Sequence, residues 1–132
     1  MTVIFSSLTG AVIPKLDAML KARPESYASG VTVADAVVAK KKRIVTVVQG
    51  PGSGSYNTLD DSMLRVNVRA DDEYDAEDLT LLVRALFEGP LVDGDPITYS
   101  TVNAGPVPVP NDTDLFQWYF VVDVGRRGRE LV

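Results

Sequence analysis

Six acids fall within eight residues, Asp71-Asp72-Glu73-Tyr74-Asp75-Ala76-Glu77-Asp78. Carboxylates at this density can hold hard divalent cations, and with magnesium they can support phosphoester hydrolysis without other catalytic groups. Asp71, Glu73 and Asp75 alternate like the opening of a calcium loop, but that loop needs a Gly where Ala76 stands and a Glu where Leu82 stands. The cation reading then reduces to a loosely held ion at a subunit contact, or to a small magnesium-dependent phosphodiesterase, nuclease or phosphatase, built on these three acids. Loss of activity on replacing them by Ala is the test of that enzyme. A plainer chemistry competes with it. The free amides of a first helical turn favour negative charge, and Asp72 or Asp75 can accept an amide hydrogen bond as N-cap.

The other candidate chemistries are thin. The chain has no His and no Cys, which removes the commonest general base, the commonest metal ligand and every thiolate site. Ser and Thr are plentiful, but no activating base is evident for any of them. Gly50-Pro51-Gly52-Ser53-Gly54-Ser55 has the glycines of a phosphate loop without the Lys-Ser or Lys-Thr that must follow, and it precedes a strand, not a helix. The sequence therefore assigns no catalytic residue, no cofactor and no resident metal.

Two basic patches remain, Lys40-Lys41-Lys42-Arg43 and Arg126-Arg127-Gly128-Arg129. Their functional reading is contact with phosphate or with an acidic partner; the plain alternative is a solvated strand entrance and a frayed terminus. An adaptor that grips polyanions through the C-terminal arginines would bind DNA with an affinity falling steeply with salt. Base stacking needs exposed rings, whereas Phe116, Trp118 and Phe120 sit on the face expected to be core.

The elements that position these groups are legible from period. Leu64, Val66 and Val68 alternate with Arg65, Asn67 and Arg69, the pattern of a strand with one buried and one wet face. After the acid run, Leu79, Leu82, Val83 and Leu86 recur at helical spacing, which predicts a helix over roughly 75–88. Gly89 can close it in a left-handed conformation, and Pro90 cannot continue it. An earlier stripe of Leu8, Val12, Leu16, Met19 and Leu20 predicts a helix between Ser7 and Ala22, with Pro14 either kinking it or lying in the first turn of a shorter one. Residues 25–42 carry possible strand ends at 31–33 and 36–38.

Residues 44–48 form a short buried strand by composition, and the glycine-rich stretch after them reads as a flexible hairpin loop. Residues 97–102 predict a strand. In Gly105-Pro106-Val107-Pro108-Val109-Pro110 alternate prolines remove ladder donors, so the segment belongs at a sheet edge or outside the sheet. Asn111-Asp112 turns the chain, and Phe116, Trp118, Phe120, Val122 and Val124 then form the apolar face of the last strand. The expected fold is α+β, in the order α-β-β-α-β-β: a mainly antiparallel sheet of about four strands with two helices on one face. At 132 residues and 45% hydrophobic content it makes one domain, 1–132, with a flexible C-terminal tail from about 126. The net charge is −5 while the acid run alone supplies −6, so the low isoelectric point reports one patch. No apolar run approaches the ~18 residues of a membrane span, and a soluble, unprocessed protein is expected.

Taken in order, several pieces resemble one family. They are the short strand ending in Gly50-Pro51-Gly52, the Leu59-Asp60-Asp61 turn, the strand Leu64 to Arg69, the helix beginning Tyr74-Asp75-Ala76-Glu77-Asp78-Leu79, the Gly105 to Asp112 stretch, and the aromatic strand before Arg126-Arg127-Gly128. This order and spacing, over roughly residues 30–128, resembles the tail terminator proteins of long-tailed bacteriophages, particularly those of actinobacteria. The resemblance implies a homohexameric ring in the virion that caps the tail tube, stops its polymerisation and joins it to the head-tail connector, with genomic DNA passing through the lumen and no membrane involved. A connector or stopper protein of the same assembly is the alternative. On this reading Asp71, Asp72, Glu73 and Asp75 lie on the lumen or at subunit contacts facing Lys40, Lys41, Lys42 and Arg43 of a neighbour. Gly52, Ser53, Gly54, Ser55, Tyr56, Pro108, Pro110, Arg126, Arg127 and Arg129 are the expected partner contacts.

Overall fold

Alternation in the central strands sets the architecture. In the computed structural model, which describes residues 3–38, 40–56, 59–89, 91, 96–110 and 115–130, strand β4 spans Leu59–Ala70 and buries Leu64, Val66 and Val68 completely. Its flanks are β3, Arg43–Tyr56, and β6, Phe116–Arg127, both antiparallel to it. Strand β5, Ile97–Val109, adds antiparallel to β6 at one edge, and β2, Thr32–Ala34, adds parallel to β3 at the other. The sheet order is β2-β3-β4-β6-β5, and a separate two-stranded ladder joins β1, Val3–Ile4, to β7, Arg129–Glu130.

The fold is α+β with a mainly antiparallel sheet, as the sequence predicts, but with five strands plus two, not about four. The surplus strands are two or three residues long and carry too little pattern to announce themselves. Residues 36–38 form no strand. The segment expected as a loose tail from about 126 instead completes β6 and forms β7. The expected hairpin loop is also strand: β3 runs through Gly50 to Tyr56, with a register irregularity between Gly50 and Gly54 opposite β4. Glycines and serines weaken strand propensity, but a paired neighbour supplies the ladder that propensity alone does not predict.

Helix α1, Leu8–Lys21, is capped by the Ser7 hydroxyl, which accepts from the Gly10 amide at 3.1 Å. Pro14 lies inside α1 on its exposed side, not in the first turn of a shorter helix. Helix α2, Glu73–Glu88, starts two residues before its predicted boundary because Asp72 is the cap, its carboxylate accepting from the amides of Tyr74 and Asp75 at 3.0 Å each. At its other end Gly89 has φ −142°, so the helix closes without the left-handed residue expected there. Pro90 and residues 111–112 lie outside the described residues.

Both helices feed one core. Leu8, Val12, Leu16 and Leu20 of α1 and Leu79, Val83, Leu86 and Phe87 of α2 cluster with Val45, Val47, Leu64, Val66, Val68, Phe120, Val122 and Val124 from one face of the sheet. Phe87 meets Phe120 edge to face, with centroids 5.9 Å apart, a geometry that suits the ring quadrupoles. The apolar face of β6 runs out before its start. Phe116 is 46% exposed and Trp118 half-buried, contrary to their expected core position, because Phe116 pairs with Ala70, the last residue of β4, at the sheet margin.

The proline-rich half of β5 lies on the edge, as its missing donors require. It departs from regular pairing between Val102 and Ala104 and again between Ala104 and Val107. Gly105 has φ +86°, and a Cβ there would lie 2.8 Å from the Tyr119 carbonyl oxygen, so only glycine fits this crossing.

Candidate functional site

The helix layer covers one face of the sheet; on the opposite face Ile44 and Thr46 near the β2 edge are buried, while Val48, Arg65 and Tyr119 farther along are exposed. Register places Val48, Arg65 and Val121 in one row across this open face, and Thr46, Asn67, Tyr119 and Val107 in the next. Val48, Arg65, Tyr119 and Val107 are exposed. Gln117 Nε2 donates to Asn67 Oδ1 at 2.9 Å, and Arg69 Nη1 reaches Thr46 Oγ1 at 3.4 Å. Burial pushes the Arg69 guanidinium below its usual range. The sequence identifies Arg65, Asn67 and Arg69 as a wet face but does not show how far it is covered: Arg65 is exposed, while Asn67 and Arg69 are half-buried beside buried Thr46 and Ile44.

Of the acid run and the first basic patch, the structure brings together one pair. Arg43 Nη2 donates to Asp75 Oδ2 at 3.0 Å, and Arg43 Nη1 donates to the carbonyls of Ser26 and Ser29 at 3.0 and 2.8 Å. One guanidinium thus ties β3 to the N-terminal turn of α2 and to the 3₁₀ turn at Ser26–Ala28. Its fork geometry suits three acceptors at once. Arg43 Nε is buried without a hydrogen-bond partner. The pair lies within one chain, where each group partly neutralises the other. Lys40, Lys41 and Lys42 remain exposed, as do Asp71, Asp72 and Glu73, with Asp72 occupied as the cap. Lys42, Arg43 and Asp71 border a small cleft with Ser29 and Gly30.

The C-terminal basic patch divides in two. Arg126 is a structural tie: Nε donates to Asp60 Oδ2 at 2.8 Å, Nη1 to the Ser6 carbonyl at 2.7 Å, and the guanidinium lies 5.6 Å from the Phe5 ring centre. Its side chain is 14% exposed and that of Asp60 13%, so this is a largely buried ion pair. Asp60 also accepts from the buried Ser62 hydroxyl at 2.6 Å. Arg127 and Arg129 are exposed, the first at the end of β6 and the second in β7. Asp60 carries no sequence signal of this role, because its partner lies 66 residues away.

Beside this tie, on the open face, Tyr99 Oη donates to Asp61 Oδ1 at 2.6 Å. The hydrogen bond to Asp61, then burial, push the Tyr99 phenol up to about 12. Of the remaining expected contacts, Gly52 to Tyr56 run as strand in their backbone, while their side chains lie outside the described residues. Pro108 is exposed within β5, and Pro110 is exposed just past its end.

Among the described residues no three acids gather into a metal-binding group, and no helix is long and apolar enough to cross a membrane. Asp75 is held by Arg43 and Asp72 by helix amides, so the run is divided among local tasks. Neither a family model nor a curated protein matches the sequence.

Proposed function

We propose that this protein is a ring-forming structural subunit of a long-tailed bacteriophage virion, the tail terminator. It caps the tail tube at its head-proximal end, stops polymerisation and joins the tube to the head-tail connector, with DNA passing through the ring. The structural observation that supports assembly is the open sheet face. Strands β3, β6 and β5 present exposed Val48, Tyr119 and Val107 there, with no layer over them among the described residues. A sheet in a two-layer domain buries one face in its own core, and an uncovered face with apolar side chains is available to a partner. The resemblance in order and spacing of the sequence pieces supplies the particular assembly.

The exposed acid Asp71 fits a ring through which DNA slides, because like charge disfavours adhesion of phosphate. Electron microscopy of the purified full chain tests the reading, first alone and then added to growing tail tubes. Six-fold rings seated on the last tube ring, with tube growth arrested, are expected. Rings that sit above that position assign the protein to the connector instead, and a monomer that leaves tube length unchanged overturns the reading.

A further inference from the structure

The two outer sides of the domain carry opposite charge that no ion pair among the described residues neutralises. On the open sheet face, Arg65 and Arg69 project from β4 on either side of Asn67, and among the described residues neither forms an ion pair. The acids of that face do not pair with the arginines: Asp61 accepts from the Tyr99 hydroxyl and Asp123 from Asn103 Nδ2 at 2.9 Å. Val48 opposite Arg65 and Tyr119 opposite Asn67 add exposed apolar surface beside the arginines.

The outward side of α2 is the counterpart. Glu73, Glu77 and Asp78 are exposed and, among the described residues, without ion-pair partners, whereas Arg84 on the same helix is taken by Glu88 at 3.2 Å. Between the acids stand Tyr74, 72% exposed, and Leu81, 46% exposed, large side chains left in water by a helix that buries its other side in the core.

We propose that the acidic outer ridge of α2 in one copy docks on the arginine-bearing open sheet face of the next copy. This inference rests on the ring reading and names the two surfaces that build the ring. Carboxylates of the ridge meet the guanidinium forks of Arg65 and Arg69, a pairing with favourable bidentate geometry. Tyr74 and Leu81 meet the apolar surface around Val48 and Tyr119.

Geometry decides the symmetry. The ridge and the open face lie on opposite sides of the sheet, so one pair of copies cannot exchange both contacts about a two-fold axis. Each contact leaves one ridge and one sheet face free, so the series closes a ring where its rotation permits and otherwise runs on as a filament, an outcome that would overturn the inference. Complementary charge also fixes register and speeds encounter, with sensitivity to salt.

Charge reversal on the full chain tests this, read by sedimentation and electron microscopy, with a melting curve to confirm folding. Arg65, Glu77 and Asp78 are exposed and Arg69 is half-buried beside Thr46, so Arg65→Glu alone is run beside the double variant. The variant Arg65→Glu/Arg69→Glu and the variant Glu77→Lys/Asp78→Lys are each expected to lose the ring and sediment as monomers. Mixed in equal amounts they are expected to reassemble, because reversed sheet meets reversed ridge and native sheet meets native ridge in alternation. A single chain carrying all four changes is expected to form rings alone. Rings that persist in both double variants overturn the inference while leaving the ring reading intact, and a mixture that stays monomeric also overturns it. A native chain that is monomeric at every concentration overturns both. Reassembly of rings that never cap a tail tube upholds the docking surfaces and removes the tail assignment.

Discussion

Tyr99 and Asp61 belong to strands that are not neighbours, yet a 2.6 Å hydrogen bond joins them across the strand between. Asp61 and Tyr99 both face Gly125 of β6, one from each side. The phenol ring reaches over the glycine, where any Cβ would overlap it. A missing side chain on the central strand is therefore what lets two flanking strands be tied together.

Replacing Gly125 by Ala is expected to destabilise the domain by about 2 kcal/mol, the usual cost of forcing an extra carbon into a packed site. Adding Tyr99→Ala to that variant removes the overlapped ring, so the second change costs less than Tyr99→Ala does in the native background. Urea unfolding of the four proteins measures this coupling. Strict additivity would mean that the ring and residue 125 do not compete for space.

Tyr99 holds its proton more tightly folded than unfolded, with a folded value of about 12 against roughly 10 for a free phenol. The sign follows directly: its contribution is complete below the unfolded value and is lost as pH rises through the folded one. One tyrosine is thus expected to ionise late in an absorbance titration, and Tyr99→Phe to delete that late step. If the variant retains it, another tyrosine is responsible.

The Arg126 and Asp60 pair predicts an asymmetry. Asp60→Ala leaves a largely buried guanidinium without its carboxylate, and a loss of about 3 kcal/mol is expected. Replacing both residues by apolar ones, Asp60→Leu with Arg126→Met, is expected to cost less than the single change, since no uncompensated charge remains. Chemical denaturation midpoints separate the two cases.

Arg43 and Asp75 are 24% and 31% exposed in their side chains, so solvent screens their attraction. A double-mutant cycle with Arg43→Met and Asp75→Asn is expected to give a coupling of about 0.5–1 kcal/mol. Arg43→Met alone is expected to cost more than Asp75→Asn, because it also strips the Ser26 and Ser29 carbonyls of their donor.

At the start of α2, Asp72→Ala removes the acceptor of two amide hydrogen bonds and is expected to cost about 1 kcal/mol, while Asp72→Asn, which still caps, retains most of it. Equal losses in the two variants, read from thermal melts, would shift the role from capping geometry to charge.

Sequence alone determined what depends on near neighbours. The alternation of Leu64 to Arg69, the helical stripes in α1 and α2, an acidic cap at Asp72 or Asp75 and the edge placement of the prolines after Gly105 each follow from contacts within a few residues. Local chemistry also made helix capping the plain alternative to a metal site in the acid run. Only the tertiary structure decided the rest. Gly50 to Tyr56 became strand because β4 pairs with it, and Arg126 turned inward because Asp60, 66 residues earlier, meets it in register. Arg43 meets Asp75, 32 residues on, a contact that only the chain's path brings about. The open face with Arg65 and Arg69 exists because both helices chose the same side of the sheet. Periodicity says that a face is polar, but which layer covers it is settled by contacts between residues that sequence places far apart.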